Sequence, residues 1–215
     1  DEAADAYRIA LKLTPDDPEI HSNLGNALRD LGRHDESMPA YGQALALNPE
    51  FAEAHNNLGT VQQELGKLND ATASFDEAIR LNPEFPEALN NLGDIWQAKG
   101  EPGKAETCFR RALAARADYA EAHNNLGTVL QGAAKPDEAL THYRRAVELK
   151  PDFHQALYNL GYLLEDHGKS REAVECYQDA FAARTGLESE KRADLAPGTV
   201  SLFLELTNKC NFHCE

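Results

Sequence analysis

Apolar residues along this chain recur at spacings of three and four, the period of helices that bury one side. Within residues 52–85, AEAHNNLGTVQQELG reads as one helix stopped at Gly66, a residue suited to the left-handed turn that closes helices. DATASFDEAIRLN reads as a second helix, ended at Pro83, which cannot continue a helix and restrains the residue before it. Leu58, Phe75, Ala78 and Ile79 form the apolar stripe, while Gly59 and Ala71 are small enough for the two backbones to approach. One helix pair cannot bury that stripe alone; a second pair stacked on it makes a continuous core.

The pattern repeats. Gly25, Gly59, Gly93, Gly127 and Gly161 stand 34 residues apart, each preceded by Asn-Leu. Pro15, Pro49, Pro83 and Pro151 keep the same interval, with Ala117 where a proline is missing. An aromatic series (Tyr7, Tyr41, Phe75, Phe109, Tyr143, Tyr177) and an alanine series (Ala10, Ala44, Ala78, Ala112, Ala146, Ala180) run in step. Residues 52–61 and 120–129 are the same ten letters, AEAHNNLGTV.

Period and positions together resemble the tetratricopeptide repeat family. The resemblance implies an all-α fold, a superhelix of helical hairpins (an α-solenoid), with full units at 18–51, 52–85, 86–119, 120–153 and 154–187. Residues 1–17 match the second helix of a unit, since DEAADAYRIALKLTP aligns with DEALTHYRRAVELKP at 137–151. An upstream partner helix is therefore expected.

In this family the first helix of each unit lines the concave side. On the face that avoids packing positions stand Asn23, Asn57, Asn91, Asn125 and Asn159, one per unit, with Asn56, Asn90 and Asn124 beside them. A primary amide offers two donors and two acceptors, so a column of amides can hold an extended backbone with little regard to its side chains. The NNLG pattern resembles the repeat arm of O-linked N-acetylglucosamine transferases, where an asparagine ladder holds polypeptide substrate. The bland alternative is that Asn merely solvates that face, although Asn is a mediocre helix former to choose five times. Asp30, Glu64, Ala98, Gly132 and Asp166 occupy the row where a Lys or Arg clamp for a carboxylate would sit, which argues against such a clamp. Tyr158 and Tyr162 depart from the pattern in the last unit and fit a seam against a following domain, or a ligand anchor.

A formal net charge of −15 disfavours nucleic acid and anionic membranes and favours basic or neutral partners. Part of it is architectural: Glu19, Glu53, Glu87 and Glu121 recur near helix starts, where carboxylates meet the positive end of the helix dipole. No apolar run is long enough to span a bilayer, and a reducing cytoplasm suits four cysteines that are not spaced as a disulfide framework. His21, His55 and His123 share a position with Leu89 and Leu157, which marks it as a packing position. Cys108 and Cys176 share another with Ala40, Ser74 and His142, which suits small fillers.

After Ala183 the register fails. Residues 188–198 read as a linker around Pro197-Gly198, and TVSLFLELT at 199–207 alternates like a strand. Asn208-Lys209-Cys210-Asn211-Phe212-His213-Cys214 follows. Strand and Cys-rich loop together resemble the opening of radical S-adenosylmethionine (radical SAM) enzymes, an α/β barrel fold whose cluster loop is C-x3-C-x2-C. The resemblance implies that Cys210 and Cys214 are metal ligands, two of three thiolates on a [4Fe–4S] cluster that binds S-adenosylmethionine. The third cysteine would fall at about position 217, past Glu215, so the chain as given is expected to hold no stable cluster and to be non-catalytic. A zinc pair completed downstream, a redox couple, or coincidence are the other readings of Cys210 and Cys214.

The sequence thus points to the peptide- or protein-binding repeat arm of a larger radical SAM enzyme. Its rivals are a pure scaffold for protein assembly and the arm of a glycosyltransferase.

Overall fold

A computed structural model describes residues 1–186, in two compact units divided at Ala117 and Asp118. The linker, strand and Cys210–Cys214 loop expected over 188–215 lie outside the described residues. Among the described residues every regular element is an α-helix.

The first unit holds α1 (Glu2–Leu13), α2 (Pro18–Asp30), α3 (His34–Leu47), α4 (Ala52–Glu64), α5 (Leu68–Leu81), α6 (Pro86–Ala98) and α7 (Pro102–Ala115). Here α2–α3, α4–α5 and α6–α7 are antiparallel hairpins, and α1 packs on α2, α3 on α4, and α5 on α6. The first helices also touch in series, α2 with α4 and α4 with α6. The second unit holds α8 (Ala120–Gly132), α9 (Pro136–Leu149), α10 (His154–Asp166) and α11 (Ser170–Thr185). Its hairpins are α8–α9 and α10–α11, joined through α9 against α10.

Helix ends follow from local chemistry. Asp17 caps α2 by accepting from the backbone N–H of Glu19 and Ile20. Ahead of α4 and α6, Asn48 and Asn82 turn the chain instead, each accepting the N–H of the residue two along, Glu50 and Glu84. Glu19, Glu53, Glu87 and Glu121 lie in first helical turns, as their spacing predicts. Between paired helices, Gly32, Gly66, Gly100 and Gly168 adopt positive φ; at the equivalent place Ala134 does so at 57°, where its Cβ is strained.

Each hairpin is locked by an aromatic ring from its second helix lying against a glycine of its first. In α4–α5, a Cβ on Gly59 would stand 2.7 Å from Cε1 of Phe75, a ring with no solvent exposure. The same pairing joins Gly25 to Tyr41, Gly93 to Phe109, Gly127 to Tyr143 and Gly161 to Tyr177. Beside each ring the second helix carries a small, fully enclosed residue: Ala71, Ala105, Ala139 and Ala173, or Ser37 in α3. Ser37 meets the cost of its hydroxyl by donating to the Gly25 carbonyl at 2.8 Å. Around Phe75 the core continues into the next hairpin through Leu92, Ile95 and Cys108.

Gly59→Ala is therefore expected to lower unfolding stability by about 1–3 kcal/mol, and Phe75→Leu in the same chain to recover part of the loss. Ala134→Gly should raise stability by about 0.5–1 kcal/mol by relieving the positive φ. Urea titrations of the purified variants measure both.

Candidate polypeptide-binding surface

The five asparagines singled out by their spacing all lie on first helices, at the sixth position of α2, α4, α6, α8 and α10. Asn23 is exposed; Asn57, Asn91, Asn125 and Asn159 are half-buried. The adjacent set, Asn56, Asn90 and Asn124, is buried, so it lies beneath the first column rather than beside it.

The two columns are wired together. In the first unit Asn91 donates from Nδ2 to Oδ1 of Asn56 in the preceding hairpin, at 3.1 Å. In the second unit Asn159 does the same to Asn124, at 2.9 Å. The hairpin ahead of Asn57 has Ser22 at the deeper position, too short to reach across. Asn57 instead donates to Asn26 Oδ1 at 3.0 Å, which also accepts the Tyr41 hydroxyl at 2.7 Å. Within a hairpin, Asn56 donates to Asn57 Oδ1 and Asn124 to Asn125 Oδ1, both at 3.3 Å. The amides are thus not a free row. They clip one first helix to the next, at about 1 kcal/mol per hydrogen bond.

What remains is still useful chemistry. An Nδ2 carries two hydrogens, and Asn57, Asn91 and Asn159 each spend one on the neighbouring hairpin. The second has no acceptor among the described residues, and each amide is fixed in orientation by the bond its twin makes. Asn23 makes no side-chain hydrogen bond to a described residue. A held, half-exposed donor loses less entropy on binding than a mobile one.

Aromatic tips reach this face from below, which the sequence reading did not foresee. The ring that meets the glycine points its para position past it, so a tyrosine emerges among the first-helix side chains. Tyr41 donates to Asn26, Tyr143 to Gln131 at 2.8 Å, and Tyr177 to Glu165 at 3.1 Å. Burial pushes the hydroxyls of Tyr41 and Tyr143 up to about 12, so they stay protonated donors. Phe75 and Phe109 bring no hydroxyl.

Asp94 was also missed, because its position on the ninth residue of α6 varies freely between hairpins: Asn26, Thr60, Asp94, Thr128, Tyr162. It lies one turn from Asn90 and Asn91, and Asn90 Nδ2 approaches its Oδ2 at 3.4 Å. Burial raises its carboxyl from the usual 3.8 to about 7.

In the last hairpin Tyr158 is buried, its ring 5.8 Å from that of Tyr177, while Tyr162 is exposed. The histidine row does more than pack. His21 and His55 bond the carbonyls of Pro15 and Pro49 through Nε2, and His123 meets His142 across α8–α9 with Nδ1 atoms 2.9 Å apart. Leu89 and Leu157, at the same place, are buried as expected. Burial raises the thiols of Cys108 and Cys176, which suits packing rather than reactivity. Among the described residues no cluster of three or more His, Cys, Asp or Glu is arranged to hold a metal ion. Cys210 and Cys214 lie outside them. No described helix is long and apolar enough to cross a membrane.

Comparison with known proteins agrees with this architecture. Four family models match: TPR repeat over residues 1–28 and 25–66, and tetratricopeptide repeat over 52–85, 84–152 and 124–186. None of the curated proteins matches the chain. Among solved structures, that of MamA is 28% identical, with a TM-score of 0.65, covering 80% of this chain and 98% of the other. YrrB, described as a TPR protein with an unusual peptide-binding site, is 24% identical with a TM-score of 0.64, over 85% of this chain and 94% of its own. PilF of Pseudomonas aeruginosa shares the fold at 19% identity and a TM-score of 0.74, over 90% and 96%.

The elevated Asp94 carboxyl has a measurable consequence. An acid whose folded pKa exceeds its unfolded one holds its proton more tightly when folded. Its contribution to stability is full below about pH 4 and is lost as pH rises through about 7. Asp94→Asn should thus melt about 2–4 °C above the wild type at pH 8.5, with the gap closing by pH 5, in a thermal-melt series.

With the hairpins, the glycine–aromatic pairing and the matched models all in register, residues 1–186 belong to the tetratricopeptide repeat family.

Proposed function

We propose that this chain is an interaction scaffold that holds an extended segment of a partner polypeptide along its first-helix faces. The observation that carries the proposal is the oriented amide column. Asn57 and Asn91 of the first unit, and Asn159 of the second, are each fixed by one hydrogen bond and keep one donor. Such groups suit the carbonyls of a backbone more than any one side chain, so the scaffold would accept many sequences. Asn23 adds to the column of the first unit and Asn125 to that of the second, and Asn56 and Asn124 serve from below by orienting Asn91 and Asn159. A negative formal charge of 15 adds a preference for neutral or basic partners over nucleic acid.

Photo-crosslinking tests this directly. A benzophenone amino acid placed at Gln63, on the α4 face that carries Asn56, should label a bound 12-residue peptide. One placed at Arg80, on the exposed side of α5, should not. Asn23→Ala, which breaks no side-chain hydrogen bond among the described residues, should weaken peptides that reach α2 by about threefold with an unchanged melting temperature. Labelling from position 80 alone would contradict the proposal.

A second reading, in which the scaffold is the arm of a radical SAM enzyme, is carried only by the sequence of 199–215. There Cys210 and Cys214 would supply two thiolates, and a cluster held by three would supply radical chemistry on S-adenosylmethionine. A chain extended past residue 215 that binds iron and sulfide in equal amounts would support it, and one that binds zinc instead would contradict it.

A further inference from the structure

We infer that Tyr162 and Glu165 read an arginine of the partner segment held along the second unit, the ring by stacking and the carboxylate by ion pairing. The inference rests on the reading of the first-helix faces as a polypeptide-binding surface and names what that surface prefers over α10.

The preceding hairpin of the same unit is the natural comparison. In α8 the corresponding positions hold Thr128 and Gln131, and the Tyr143 hydroxyl meets both, at 3.3 Å and 2.8 Å. In α10 they hold Tyr162 and Glu165. Tyr177, at the place of Tyr143, donates its hydroxyl to Glu165 Oε2 at 3.1 Å. Burial and that carboxylate push the Tyr177 hydroxyl up, so it stays a donor at neutral pH. The bond orients Glu165 without bringing it a compensating charge, and among the described residues no cation pairs with it.

Tyr162 stands three residues before Glu165 and three after Asn159, so it adjoins both on the helix surface. Its side chain is large, yet the residue is 53% exposed, and its hydroxyl bonds no described residue. Packing in this hairpin does not call for that ring, because the threonine at the same place in α8 leaves far less apolar surface in water. Asn159 beside it is clipped to Asn124 and keeps one donor for a backbone carbonyl. An exposed ring next to an oriented, unneutralised carboxylate suits a guanidinium. That group is planar and weakly hydrated, stacks on an aromatic face, and presents its N–H groups in a fork that matches a carboxylate. A lysine ammonium can use the charge but stacks less well, so arginine is the side chain these two residues fit.

The test is a selection from a random 12-residue peptide library at pH 7.5 on the full 215-residue chain. Binders weakened by Asn159→Ala should share an arginine at one fixed position. Replacing it by citrulline, its neutral isostere, should cost the wild type about fivefold in affinity. The same replacement should cost nothing for the double variant Tyr162→Thr with Glu165→Gln, which copies the pair found in α8. Glu165→Gln alone, which keeps an acceptor for Tyr177, should cut the cost to about twofold. An arginine preference retained by the double variant would reflect general acidity and would overturn the assignment. Asn159-dependent peptides that carry no arginine, or that accept lysine equally well, would overturn it too, while leaving the binding surface intact. If no peptide binds, or binders are indifferent to Asn159→Ala, the polypeptide-binding reading of this unit falls and the inference falls with it.

Discussion

The close meeting of an aromatic ring and a glycine backbone organises everything else in this chain. Phe75 can come this close to α4 only because Gly59 has no Cβ, and that approach sets how near the two helices of the hairpin lie. The ring also fills the space that would otherwise remain between the helices, and it hands the core on to Leu92 and Ile95 of the next hairpin. Stability in such an array is a sum over hairpins and their nearest-neighbour seams, so one repeated contact can specify a long structure. It has a second effect. Past the glycine the tyrosine rings reach the amide face itself, where the Tyr41 hydroxyl and Asn57 meet on Asn26.

Those amides tie the architecture to the proposed function. Asn56 and Asn91, or Asn124 and Asn159, join first helices that touch only lightly through their side chains. The bond adds a polar tie to a seam otherwise made by second helices packing on the next hairpin. It also orients Asn91 and Asn159 and leaves each a donor facing away from the clip. A column whose members hold each other is preorganised, and the ordering cost of binding has been met in folding. Asp94 differs from its neighbours as a carboxyl that burial makes harder to ionise.

Much of this was legible in the letters. The glycine, aromatic and alanine rows announced the hairpins, since each names a contact that tolerates few residue types. Helix boundaries came out within a few residues: the second helix of the 52–85 unit starts at Leu68 and ends at Leu81, two residues short of Pro83. The amide column was legible as a face of the first helix, but not its wiring. Whether Asn56 lies beside Asn57 or beneath it depends on how one hairpin leans on the next, and helical spacing alone does not carry that. The same limit hid Asp94 and the tyrosine tips, which belong to variable positions and gain meaning only from their neighbours, Asn90 for Asp94 and Asn26 for Tyr41. The histidine row looked apolar because leucine shares it. Its polar edge became visible only when the turn carbonyls of Pro15 and Pro49 were placed within reach.

Asn57, Asn91 and Asn159 are half engaged, one amide hydrogen spent on the neighbouring hairpin and one with no acceptor among the described residues. Side-chain amide exchange, resolved by NMR for the two Nδ2 protons of Asn57, Asn91 and Asn159, measures that division. One proton of each pair protected and its twin exchanging as a free amide is the predicted result. Both protons exchanging freely would show that the clips do not exist, and both protected would show that nothing is left to hold a partner.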